Sequence, residues 1–87
     1  MTPRQLGNTS LKVNPVGLGC NNFGLRMSIE DSRAVIHKAL DLGIHFFDTA
    51  DVYGHRGGSE TALGLYLGAR RKDIVIASKF GNPMDDA

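Results

Sequence analysis

The sequence predicts an α/β fold built on a short parallel sheet and introduced by a β-hairpin. Three observations predict it. Strand-like and helix-like segments alternate along the 87 residues as strand, helix, strand, helix, strand. Two of the strand segments, Ile44–Phe47 and Ile74–Ala77, are continuous apolar runs, the pattern of strands covered on both faces. Each helical segment is closed by a glycine, Gly43 or Gly68, before the next strand begins.

The elements follow in order. Arg4 to Val13 carries turn residues at its centre (Gly7, Asn8, Thr9 and Ser10) between short polar–apolar alternations, which predicts a small β-hairpin or an irregular lid. Val16–Gly19 reads as a short strand. Ser28 opens the first helix: its hydroxyl can accept from an orphan amide, and Glu30 and Asp31 suit the positive end of the dipole. Ile29, Val35, Ile36, Ala39 and Leu40 recur near helical spacing and form one apolar stripe. After the strand Ile44–Phe47, the glycines Gly54, Gly57 and Gly58 mark a loop. Ser59 is expected to cap a second helix through Leu67, with Ala62, Leu63, Tyr66 and Leu67 on its packing side. Arg70, Arg71 and Lys72 read as a solvated connection to the third strand, Ile74–Ala77. Gly81, Asn82 and Pro83 then form a loop signature. With no repeat, linker or low-complexity tract, residues 1–87 read as one unit.

Composition narrows the function. Ten Lys and Arg stand against nine Asp and Glu, a net charge of +1, which offers no electrostatic footprint for nucleic acid. No apolar stretch approaches the ~20 residues of a membrane span, and Met1–Gly7 has no apolar core for a secretory leader. A single cysteine, Cys20, precludes an internal disulfide and, without an export signal, favours the cytoplasm. His37, His45 and His55 lack metal-ligand spacing, so no metal site is expected. His37 is expected to face solvent, His45 to lie in the core or an interface, and His55 in a solvated loop.

Three polar residues carry the chemistry. Asp48 follows the second strand, Tyr53 lies in the loop after it, and Lys79 ends the third. In parallel α/β architectures the C-terminal strand ends gather the active site. Strand alternation turns Asp48, Phe46 and Ile44 to one side, with Phe47 and His45 toward the helices; it places Lys79, Ala77 and Val75 with Asp48. Asp48 and Lys79 can then pair across neighbouring strands. A phenol ionises near pH 10, too high for efficient acid catalysis at neutrality, and a nearby ammonium favours its ionised form. Asp48, Lys79 and Tyr53 therefore form a candidate proton-donating relay. Taken singly, each has a plainer reading: a turn aspartate, a loop aromatic and a solvated lysine. Their shared rim is what points to chemistry.

These residues stand in a recognisable signature. Phe46-Phe47-Asp48-Thr49-Ala50-Asp51-Val52-Tyr53-Gly54, with Asp48 and Tyr53 five positions apart, resembles the aldo-keto reductase motif. Ser59-Glu60 with Leu63-Gly64 resembles that family's following helix, and Ile74-Val75-Ile76-Ala77-Ser78-Lys79-Phe80-Gly81 its lysine-bearing third strand. Val16-Gly17-Leu18-Gly19-Cys20-Asn21-Asn22-Phe23-Gly24 resembles its first strand and nicotinamide-side loop. The four blocks are collinear and cover nearly the whole chain.

The resemblance implies the N-terminal portion of a (β/α)8 TIM barrel, a β-hairpin followed by β-α-β-α-β. It implies reduction of aldehyde, ketone or sugar carbonyls with NADPH, less often NADH. Tyr53 would be the general acid, Lys79 would ease its ionisation, and Asp48 would pair with Lys79. Gly19, Cys20, Asn21 and Asp48 would border the cofactor, and Asn21, Asn22, Phe23, Val52 and His55 the substrate. Cys20 would be a small packing residue there rather than a reactive thiol. The motif forms are closer to bacterial sugar- or aldehyde-reducing branches than to mammalian aldose reductases. The family's tetrad histidine falls beyond Ala87, as do its adenine and phosphate segments. Three parallel strands also bury little core. The chain is therefore expected to be a fragment of one barrel domain, inactive alone. The alternative is a nicotinamide-binding, redox-sensing subunit of the same fold.

Overall fold

The computed structural model describes residues 2–85. Met1, Asp86 and Ala87 lie outside them, and with them the first residue of the segment read as lacking a leader and both ends of the 1–87 unit. Strands β1 (Arg4–Gln5) and β2 (Lys12–Val13) pair antiparallel as a hairpin. Then come β3 (Leu18–Gly19), α1 (Ile29–Asp41), β4 (Phe46–Asp48), α2 (Tyr53–Leu67), a 3-10 turn over Gly68–Asp73, and β5 (Val75–Ala77). The second sheet runs β3-β4-β5, parallel throughout, as the alternation predicts.

Helix α1 forms where local chemistry says it should. The Ser28 hydroxyl accepts the Asp31 amide at 3.0 Å, and Glu30 and Asp31 occupy the first turn. At its other end Gly43, at φ +82°, donates to the Leu40 carbonyl, and Ile44 donates to Ala39. This is a Schellman closure, and it needs the left-handed backbone glycine adopts freely. It also corrects the predicted strand: the Ile44 amide is spent on the helix, so β4 starts at Phe46 instead of Ile44. The first and third strands are likewise shorter than expected, Leu18–Gly19 and Val75–Ala77.

The two helices share one core with the sheet: Ile36, Ala39 and Leu40 from α1, Ala62, Leu63 and Leu67 from α2, and Phe47 at the centre. Phe47 is fully buried, a contribution of about 2–3 kcal/mol. Its neighbours Phe46 and Asp48 face the other way, half-buried and exposed, as strand alternation requires. The hairpin sits at the opposite end of the strands from Asp48. There the Asn14 side chain accepts the His45 amide at 2.7 Å, and the His45 ring stands 3.5 Å from the Lys12 carbonyl. His45 is thus an interface residue. His37 departs from expectation: its Nε2 lies 3.0 Å from the Tyr66 carbonyl and its ring meets Tyr66 edge-on, joining α1 to α2 rather than facing solvent.

Arg70–Lys72 are exposed, as expected of the connection, and Arg70 meets Asp41 at 3.6 Å. An exposed pair of this kind adds little stability. No helix among the described residues is long and apolar enough to cross a membrane. Among them no group of three or more His, Cys, Asp or Glu is placed to hold a metal ion.

Candidate active site

The parallel register sets Gly19, Asp48 and Ala77 side by side at the C-terminal rim of the sheet. Pairing continues past the strands: Thr49 donates to the Ala77 carbonyl and Asp51 to the Lys79 carbonyl, which carries Lys79 up to the rim. There its ammonium donates to Asp48 Oδ1 at 2.7 Å and to the Thr49 carbonyl at 2.8 Å. It stands 5.0 Å from the centre of the Tyr53 ring. The three residues predicted to converge do so.

Both members of the ion pair are about half exposed, 52% and 54%. Such a pair stabilises a fold weakly; its value is positional. The hydrogen bond from Lys79 to Asp48 pushes the lysine's pKa above its ordinary value, slight desolvation opposes this, and a hydrogen bond with Tyr53 adds to the rise. Lys79 is thereby kept charged and aimed.

Tyr53 begins α2, but α2 does not begin as an ordinary helix. Gly54, His55 and Arg56 take left-handed dihedrals, with φ of 71°, 58° and 65°, and Gly57 follows at 128°. Right-handed helix resumes from Gly58. Two non-glycine residues in succession at positive φ store backbone strain of the kind found at functional sites. The strain is fixed by a main-chain contact: a Cβ on Gly54 would collide with the Phe23 carbonyl and the Ser59 amide. Gly24 packs less tightly on Gly58, where a Cβ would stand 3.1 Å from the Gly58 Cα. The loop after β3 is thus seated directly on the backbone that carries Tyr53.

That loop is a tight turn. Leu25 and Met27 both donate to the Asn22 carbonyl, and Gly24 donates to the Met27 carbonyl. Asn21 is exposed and Asn22 half-buried, so both remain available as walls. Phe23 is not: at 2% exposed its side chain belongs to the core, contrary to its expected place beside substrate. Cys20 is fully buried, and burial, assisted by the nearby Asp48 charge, pushes its thiol up to about 12. This fits a packing residue, since the nucleophile is the thiolate. Its backbone is equally covered, the amide given to the Asp48 carbonyl and the carbonyl accepting from Ser59, so Cys20 packs beneath the rim and does not border a cofactor as expected. His55 is exposed, as expected of a loop residue.

Two residues at the site have roles the sequence reading missed. Ser59 does not cap α2. Its hydroxyl donates to the Cys20 carbonyl at 2.7 Å and lies 2.7 Å from the Thr49 hydroxyl, all within the interior. Alternation was the available signal: Thr49, next to Asp48, must point toward the helices. A groove of about 280 Å³ lined by Thr49, Glu60, Leu63, Leu67, Arg71 and Ile76 runs along that helix side; Asp48 and Lys79 do not line it.

Comparison with known proteins identifies the family. The model of the Aldo/keto reductase family matches residues 15–87. The uncharacterized oxidoreductase YqkF of Bacillus subtilis is 40% identical over 86 residues, 99% of this chain and 27% of that protein. L-glyceraldehyde 3-phosphate reductase of Escherichia coli is 38% identical over 90 residues, 97% of this chain and 26% of that protein. The holo form of aldo-keto reductase AKR11C1 from Bacillus halodurans superposes with a TM-score of 0.89 at 39% identity, covering 98% of this chain and 28% of the other. The chain thus spans about a quarter of the length of these relatives, and its elements correspond to the N-terminal portion of a (β/α)8 barrel.

Proposed function

The chain belongs to the aldo/keto reductase family of oxidoreductases, and on that premise we propose that it supplies the proton-donating side of an NADPH-dependent carbonyl reductase. The substrate class is an aldehyde or ketone, sugars included, with NADH as the alternative cofactor and the cytoplasm as the setting. One observation carries the reading: the Lys79 ammonium is held between the Asp48 carboxylate and the Tyr53 phenol.

Tyr53 donates its proton to the carbonyl oxygen as that oxygen gains charge. The Lys79 ammonium stabilises the phenolate left behind, since a neighbouring cation favours the ionised phenol. Asp48 keeps Lys79 protonated and oriented. A nicotinamide cofactor, when bound at this rim, would supply hydride chemistry at the carbonyl carbon. The residues present fit its flat ring: Gly19 is exposed beside Asp48, and nothing lies within 4 Å of where its Cβ would stand. Gly19, Asn21 and Asp48, all exposed, would form this ledge. Carbonyl reduction also accords with the reductase named among the relatives.

The test is nicotinamide absorbance with NADPH and a panel of aldehydes and sugars, run on this chain and on the same residues within a full-length barrel. Turnover is expected from the full-length form. There Tyr53→Phe should slow reduction by about 10²–10⁴-fold, the usual worth of general acid catalysis, with cofactor affinity kept. Equal rates in the variant would remove Tyr53 from the mechanism. Cofactor binding without turnover on any carbonyl would favour the redox-sensing subunit.

A further inference from the structure

We propose that Ser59 and Glu60, adjacent at the first right-handed turn of α2, act as a two-armed positioning clamp on the Asp48–Lys79 pair, gripping it through Thr49 and Ser78. The inference rests on the proposed roles of Asp48 and Lys79. Alternation supplies its geometry. Asp48 and Lys79 face the rim, so Thr49, just after the first, and Ser78, just before the second, face α2. Each meets one member of the Ser59–Glu60 pair: Thr49 Oγ1 lies 2.7 Å from Ser59 Oγ, and Ser78 Oγ donates to Glu60 Oε2 at 2.8 Å.

The buried arm has a defined direction. The Ser59 hydrogen is committed to the Cys20 carbonyl, so the Thr49 hydroxyl must donate to Ser59. The Cys20 amide in turn donates to the Asp48 carbonyl at 2.9 Å. Thr49, Ser59, Cys20 and Asp48 therefore close a ring in which every buried side-chain polar atom is satisfied. The Thr49 carbonyl that emerges from this ring is the second acceptor for the Lys79 ammonium, at 2.8 Å. The Ser59 and Thr49 hydroxyls touch neither Lys79 nor Tyr53; they fix the backbone whose Thr49 carbonyl aims Lys79. The Glu60 arm lies in solvent and is the weaker one.

The experiment reads Lys79 directly on the 87-residue chain. Amines are acetylated with trace acetic anhydride across a pH series, and each lysine is quantified by peptide mass spectrometry, with Lys38 and Lys72 as internal references. In the native chain Lys79 should react at higher pH than the references. Thr49→Val should move its midpoint down toward them and raise its labelling severalfold at mildly alkaline pH; Thr49→Ser should restore it. Glu60→Gln and Ser78→Ala should move it in the same direction by less. These two exposed positions carry the test if Thr49→Val does not fold. An unchanged Lys79 profile in the Thr49, Glu60 and Ser78 variants, with Asp48→Asn still shifting it, overturns the clamp and leaves the ion pair standing. An equal movement of the references would mean general loosening and would also overturn it. A profile unmoved by Asp48→Asn would bring down the reading of the pair itself, and the clamp with it.

Discussion

Helices α1 and α2 pack side by side in one core, yet they are held by different physics. The α1 helix obeys local rules at both ends: a serine cap, acidic residues in its first turn, Lys38 in its last, and a glycine closure. The start of α2 violates them. It has no side-chain cap and no acidic first turn, and it passes through three left-handed residues before becoming a helix. What fixes it is distant in sequence: the Phe23–Gly24 loop against Gly54 and Gly58, and the Cys20 carbonyl against Ser59. The helix that only packs is specified locally, whereas the one that presents Tyr53 is specified by the tertiary structure around it.

Substitutions can test that contrast. Gly54→Ala should be the most damaging, because a side chain there meets both a left-handed φ and the Phe23 carbonyl. A loss of about 2 kcal/mol or more is expected by denaturant unfolding. A neutral Ala at this position would mean that the contact holding α2 is not there. Alkali should be next. A free thiol ionises near 9.0, but the buried Cys20 thiol holds its proton to about 12. Between those values the unfolded chain sheds a proton that the native chain keeps, so stability falls as pH rises through this window. The Lys79 pair adds to the decline in the same sense, since its attraction vanishes once the ammonium is lost. The alkaline fall in thermal midpoint should be smaller in Cys20→Ala than in the native chain, and an identical fall would argue against a protonated, sheltered thiol.

Ser28→Ala should cost about 1 kcal/mol, the ordinary worth of a helix cap, read in the same unfolding experiment. The smallest effect belongs to His55→Gly. Relief of the left-handed penalty and the added freedom of the unfolded glycine nearly cancel, so stability should stay within about 0.5 kcal/mol. A much larger loss would show that the His55 side chain itself secures the turn.

The same contrast explains what could be read from the sequence. The α1 boundaries and the convergence of Asp48 with Lys79 follow from short-range periodicity, and both were legible. The start of β4 was not, because the Ile44 amide belongs to two competing elements and the helix closure takes it. Ser59 looked like a cap because a serine before Glu60 and an apolar run is a local signal; its real partners lie 10 and 39 positions away. The glycines marked a loop after Tyr53 but not its handedness at His55 and Arg56. Phe23 sits in a polar loop that folds back, so its burial depends on contacts that periodicity does not report.

Main chain against main chain is a joint that demands glycine where it touches and little of the side chains around it. Because the β3 loop rests on α2 through Gly24, Gly54 and Gly58, the side chains of Asn21, Asn22, Val52 and His55, proposed as walls, lie outside the contacts that hold this frame. Under the proposed function, a lineage could thus diversify this mouth while Asp48, Tyr53 and Lys79 stay in register.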